Sequence, residues 1–150
     1  MIKTGLSRRS TNFSAFTPGR RIAIYSFLTI CWMMTVLRKS DVTVVASDIG
    51  MADTLLKQTV GLMFRKSIPQ DYAMLFDLRR EQYAGIHMVF VFFPIDLVYL
   101  NRDREVVDVR RRLRPWTGMA VTKKPARYAI EMPAGAVEAH GLKEGERLDW

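Results

Sequence analysis

Residues 85–100 read GIHMVFVFFPIDLVYL, an apolar run broken by a single proline. Proline has no N–H to give to a sheet ladder, so Pro94 should end one strand and let the next begin beyond it. In residues 86–93, Ile86, Met88, Phe90 and Phe92 alternate with His87, Val89, Val91 and Phe93. Both sets are apolar apart from His87, and this predicts a central strand covered on both faces. IDLVYLN then predicts a second strand, RDRE a tight turn and VVDVR the hairpin partner.

The rest of the body is patterned in the same short units. DVTVVAS, residues 41–47, is rich in β-branched residues and predicts a strand. Asp53 or Thr54 can cap a short helix, with Leu55, Leu56, Thr59, Val60 and Met63 at helical spacing and Gly61 near its end. AMLFDL (73–78) and RYAIEM (127–132) predict strands, PAGAVEAHGL a helical turn, and RLDW a closing strand. RREQYAG and residues 111–126 read as loops. Short strands, tight turns and little helix predict a mainly β fold: a small antiparallel β-sandwich or barrel with one or two short helices. At 150 residues, one domain is expected, spanning residues 41–150.

Residues 1–40 are different in kind. The formal charge is +8, but residues 1–33 contribute +5 through Lys3, Arg8, Arg9, Arg20 and Arg21 without a single acid. The body carries only +3, a weak argument for a polyanionic partner. Residues 1–21 have the polar, basic composition of a disordered leader. Residues 22–37, IAIYSFLTICWMMTVL, are uncharged and flanked by basic pairs. They fall short of the roughly 20 residues that a spanning helix needs. Translation from Met33 or Met34 would give a cytoplasmic protein. A genuine apolar segment would make it membrane-anchored through residues 22–37.

An ordered set of motifs carries a family resemblance: GLMFR (61–65), AMLFDL (73–78), HMVFVFFPIDLVYL (87–100), EVVDV (105–109), RPW (114–116), YAIEMPAGAVE (128–138) and GLKEGERL (141–148). Over residues 42–150 the chain resembles the domain of unknown function 192 family in its archaeal form. The resemblance implies a jelly-roll-like sandwich and supplies no reaction. By position, Gly61, Leu62 and Met63 match its GLM signature, and Met74, Leu75 and Phe76 its MLF strand. Pro94 and Asp96 match a proline–apolar–aspartate element, and Glu131 and Gly135 a late E-x-x-x-G element. Bacterial relatives usually place tryptophan at position 87, which argues for a shape-filling core ring at His87 rather than an obligatory base. They also often carry export signals.

The candidate ligand-binding residues are His87, Asp96, Arg114, Trp116, Arg127 and Glu131. A neutral imidazole can act as a base or a ligand. A carboxylate following an apolar run must reach solvent, accept backbone N–H bonds or pair with a cation such as Arg114 or Arg127. Arg110, Arg111 and Arg112, beside Arg114 and Trp116, are the candidates for binding a polyanion, because arginine forks suit phosphate and carboxylate. The lone Cys31 excludes an intramolecular disulfide, and His87 and His140 have no ligand spacing, so neither metal nor cofactor is expected. The favoured function is a non-enzymatic module that binds a small ligand or a protein partner. The alternatives are a hydrolase using Asp96 and Glu131, and a binder of nucleic acid or acidic polymer.

Overall fold

A computed structural model describes residues 35–38 and 40–150. The leader and most of the apolar segment of residues 22–37 lie outside the described residues. The strands are β1 (Val36–Arg38), β2 (Thr43–Ala46), β3 (Asp48–Ala52), β4 (Tyr72–Gln82), β5 (Gly85–His87), β6 (Ile95–Leu100), β7 (Val106–Leu113), β8 (Met119–Val121), β9 (Ala126–Pro133) and β10 (Leu148–Asp149). Two short helices accompany them, α1 (Leu55–Val60) and α2 (Ala136–Ala139). Buried Val36 lies in β1, which pairs with β2 and β10, so the sheet begins upstream of the expected boundary at residue 41.

The strands form a five-stranded sheet in the order β3-β4-β9-β6-β7, a three-stranded sheet β10-β1-β2 and a two-stranded ribbon β5-β8. The fold is mainly β, mostly antiparallel and sandwich-like, and among the described residues no sheet closes into a barrel. Both faces of the five-stranded sheet are buried, because the alternation along its strands is apolar on both sides. Met74, Phe76, Leu97, Tyr99 and Ala129 face one core, which Leu62, Met88, Val91 and Ala120 cover. Leu75, Val98, Ile130 and Met132 face the other, which Val36, Val45, Val137 and Leu148 cover.

The two-sided strand is β6, not residues 86–93. All six β6 residues are buried between β9 and β7. Only Gly85–His87 of the preceding run is a strand, and residues 88–92 turn away. Their backbone groups are met by other loops instead of a ladder. Met88 N donates to Gly118 O (2.9 Å), Trp116 N to Met88 O (3.0 Å) and Phe64 N to Phe90 O (2.9 Å). Gly118 makes this approach feasible, since a Cβ there would sit 2.5 Å from Arg114 O and 2.8 Å from Met88 Cγ. Buried Met88 and Val91 satisfy the core while Val89, Phe90 and Phe92 stay exposed. Such a turn has no regular period to read.

Two further departures have local causes. RREQ belongs to β4, whose pairing with β9 is irregular between Asp77 and Gln82. Arg79 there has φ 65°, and its N–H donates to Asp77 Oδ1 (2.6 Å). β3 runs parallel to β4, and parallel neighbours need a long crossover. Residues 53–71 supply it, with α1 inside. Of the two caps the sequence offers, Asp53 and Thr54, it is Thr54 that caps α1, accepting from Lys57 N (3.2 Å). Gly61 closes the helix at φ 47°, ψ −121°, a conformation that favours glycine. Gln58 ties α1 to the sheet, its Nε2 donating to Ala52 O (3.1 Å) and Asp77 O (2.8 Å).

Candidate functional site

The crossover turn leaves a pocket of about 130 Å³ between α1, the sheet and β5. Its lining includes Gln58, Gly61, Leu62, Met63, Phe76, Ile86, His87, Val91 and Glu131. Glu131 is the buried acid. On β9 it is the register partner of Met74 on β4 and Leu97 on β6, so it projects from the face that carries the first core. The residue retains only 6% exposure. Burial pushes its carboxyl from the ordinary 4.5 up to about 8, because removal from water penalises the charged form. At neutral pH it is mostly the protonated acid.

His87 is brought to this pocket and not to the core. It is exposed at the rim, on β5 opposite Met119 of β8, and this corrects its reading as a core ring. The strand carrying it belongs to an outer ribbon covered on one side only.

Asp96 points to the other face of the sheet. It is the register partner of Met132, while its neighbour Leu97 partners Glu131. The two carboxylates therefore do not flank one substrate bond. Neither Arg114 nor Arg127 neutralises Asp96. Its Oδ1 accepts from Arg112 N (2.8 Å), and its Oδ2 accepts from Gly135 N (2.9 Å) and Val137 N (3.0 Å). The register explains the first bond. Ile95 pairs with Leu113 but Leu97 with Arg110, so β7 carries an extra residue opposite Asp96, and Arg112 takes φ 52° there. One carboxylate fixes a bulge in β7 and the start of α2, and a buried polar group needs such partners.

The arginines also separate. Arg110 Nη2 donates to buried Asp108 (3.0 Å) and to Val121 O (3.0 Å). Arg127 Nη2 reaches Asp77 Oδ2 (3.0 Å) on a different part of the surface. Arg112 lies 3.8 Å from Glu138 with both side chains exposed, and Arg111 and Arg114 are exposed. Among the described residues no group of three or more His, Cys, Asp or Glu side chains is arranged to hold a metal ion.

Trp116 contributes to an aromatic surface instead. It is 49% exposed and meets Phe90 and Phe92 edge-on at 5.6 and 5.2 Å, while Phe64 stacks on Phe90 at 5.0 Å. Phe64, Phe90 and Trp116 all have left-handed φ, at 62°, 60° and 64°. Such conformations cost on the order of 1 kcal/mol or more each and persist only where surrounding contacts over-determine them. The loop-to-loop hydrogen bonds from Phe64 and Trp116 supply those contacts.

The sequence motifs marked Gly61, Leu62 and Met63 as the GLM signature and Phe76 as part of the MLF strand without assigning any of them to a pocket, and Gln58, which also lines it, was not singled out. A usable signal was present. GLM ends a helix, and Glu131 lies inside an otherwise apolar strand; the register brings both to one place. A second groove of about 440 Å³ shares Val60, Gly61 and Met63 and adds Met51, Tyr72, Met74 and Arg65.

Fold and site together define a class: a small two-faced β-sandwich with one buried acid beneath a helical crossover. The chain belongs to the DUF192 family, described as an uncharacterized ACR, whose profile matches residues 35–150. It is similar to a UPF0127 protein of Pyrococcus furiosus, with 37% identity over 120 residues that cover 79% of this chain and 97% of that protein. A UPF0127 protein of Thermococcus sibiricus is 36% identical over 116 residues, covering 76% of this chain and 73% of that one. These archaeal relatives agree with the archaeal form seen in the motifs. A crystal structure of a protein of unknown function from Novosphingobium aromaticivorans superposes with a TM-score of 0.70 at 25% identity, covering 77% of this chain and 82% of that one. A structure from Sinorhizobium meliloti (TM-score 0.69, 22% identity, 77% and 89% covered) shares the fold. No helix among the described residues is long and apolar enough to cross a membrane.

Proposed function

We propose that this chain is a non-enzymatic binding module that seats a small ligand on Glu131, beneath the residue 61–63 turn. The observation that carries the reading is a carboxyl group almost wholly buried and lining a pocket, with its titration strongly displaced. Perturbed titratable groups in concave sites mark function more often than chance. The binding reading is favoured over hydrolysis by what surrounds Glu131. Among the described residues the lining contains no serine, cysteine or lysine; its hydroxyl is that of Thr59 on α1 and its imidazole that of His87 at the exposed rim. Asp96, the second carboxylate a hydrolase would need, serves backbone groups across the sheet. The polyanion reading loses Arg110, whose fork is engaged within the protein.

A fragment screen on the full chain tests the proposal, read by methyl NMR at Leu62, Met63, Ile86 and Val91. Saturable shifts confined to these residues are expected, and Ile86→Trp at the pocket should abolish them. A screen of neutral, cationic and anionic fragments that leaves all four unmoved refutes it.

A further inference from the structure

Among the described residues that line its pocket, the one basic group that accompanies buried Glu131 is His87, which stands exposed at the rim on β5. The lining holds no lysine or arginine, and burial is the only influence that moves its titration. The groove that shares Val60, Gly61 and Met63 with this pocket does hold cations, Lys57 and Arg65. Lys57 is already paired with Asp53 at 2.8 Å, and Arg65 lies over the Tyr72 ring at 5.2 Å. A carboxylate taken out of water is unfavourable until an opposite charge or several donors reach it. Asp96 shows how this fold accommodates a structural acid, with three backbone N–H groups on its two oxygens. Burial displaces Glu131 instead of being offset.

The walls suit a positive charge. Phe76 lines the pocket, and an aromatic face attracts cations. Gly61 also brings the turn close, since a Cβ there would lie 3.3 Å from Phe76 and 3.8 Å from Glu131 Oε2. The volume sets the size. About 130 Å³ is comparable to the roughly 150 Å³ apolar cavity that accepts benzene. The guest therefore has about six non-hydrogen atoms.

We infer that the pocket takes a small organic monocation, a primary amine in its ammonium form, which pairs with the Glu131 carboxylate and covers its alkyl part with Leu62, Met63 and Phe76. This rests on the pocket being a binding site and names its ligand class. Binding exchanges one charge for another: Glu131 gives up its proton to solvent as the ammonium enters. No covalent step is involved.

n-Butylammonium and its uncharged counterpart butyramide are the probes, titrated into the full chain calorimetrically between pH 5.5 and 8.5. Butylammonium affinity should rise about tenfold per pH unit below pH 8 and level off above it. Calorimetry in two buffers of different ionisation enthalpy at pH 6.5 should count close to one proton released per molecule bound, and the same count is expected in His87→Asn, which removes the imidazole from the lining. Glu131→Gln should weaken butylammonium at least tenfold while leaving butyramide within threefold. Proton release needs no variant, so the inference remains testable if Glu131→Gln folds poorly. Butyramide binding as tightly as butylammonium, or butylammonium binding without proton release, overturns the cation and leaves the pocket standing. Failure of both probes, together with a silent fragment screen, overturns both.

Discussion

Glu131→Gln should make the protein more stable, and increasingly so as the pH rises. The folded-state value of about 8 lies well above the ordinary 4.5 of an unfolded glutamate. Below pH 4.5 both states hold the proton and folding is not penalised. Between pH 4.5 and 8 the unfolded chain has lost its proton while the folded chain keeps it, so stability falls by about 1.4 kcal/mol per pH unit. Above pH 8 both states are ionised and the loss stops growing. Between pH 5 and 7.5 the accumulated loss is roughly 3 kcal/mol, against a total stability of about 5–15 kcal/mol for a domain. Glutamine is nearly the same size and has no such proton to hold. Urea unfolding of the two full chains, followed by tryptophan fluorescence at half-unit pH intervals, measures the difference directly. The gap between their unfolding free energies should widen by about 2–3 kcal/mol from pH 5 to 7.5. Parallel curves would show that Glu131 titrates as in water and that the pocket does not bury it.

Other substitutions test the remaining structure. Asp96→Ala strips acceptors from three backbone N–H groups, and charged-acceptor bonds contribute about 1.5–3 kcal/mol each. Non-additivity reduces the sum, so about 4 kcal/mol is expected by urea unfolding; a change under about 1.5 kcal/mol would undo its structural role. Gly61→Ala places a Cβ 3.3 Å from Phe76 at φ 47° and should destabilise by about 1–3 kcal/mol. A neutral or stabilising result would mean the turn is not held in that conformation. Tyr99→Phe removes the buried hydroxyl that donates to Ala120 O (3.0 Å) and should cost about 1 kcal/mol, with no effect on fragment binding. Arg111→Glu with Arg112→Glu should leave the urea midpoint unchanged, because both side chains face solvent. A lowered midpoint would place them in the fold.

Much of the architecture was legible because it depends on local chemistry. Thr54 and Gly61 bracket α1 through capping and φ, properties of single residues. The hairpin from β6 to β7 followed from two apolar runs around RDRE, and the closing RLDW strand from its turn. Alternation along β9 by itself sets Glu131 on the same face as Ala129. The run at 86–93 misled because a two-sided apolar pattern is equally compatible with a central strand and with a turn that buries some residues and exposes others. Only the competition for ladder partners distinguishes these, and β7 and β9 took residues 95–100.

The sequence alone determined the mainly β class, the short helix that begins after Asp53 or Thr54, the family and the suspicion attached to Asp96 and Glu131. Tertiary structure decided what each acid does. Asp96 and Glu131 lie on adjacent strands, but the register sends one to backbone donors at a bulge and a helix start, and the other beneath the crossover turn. Neither fate is written locally, because desolvation and hydrogen-bond supply depend on residues that pairing brings together from far along the chain.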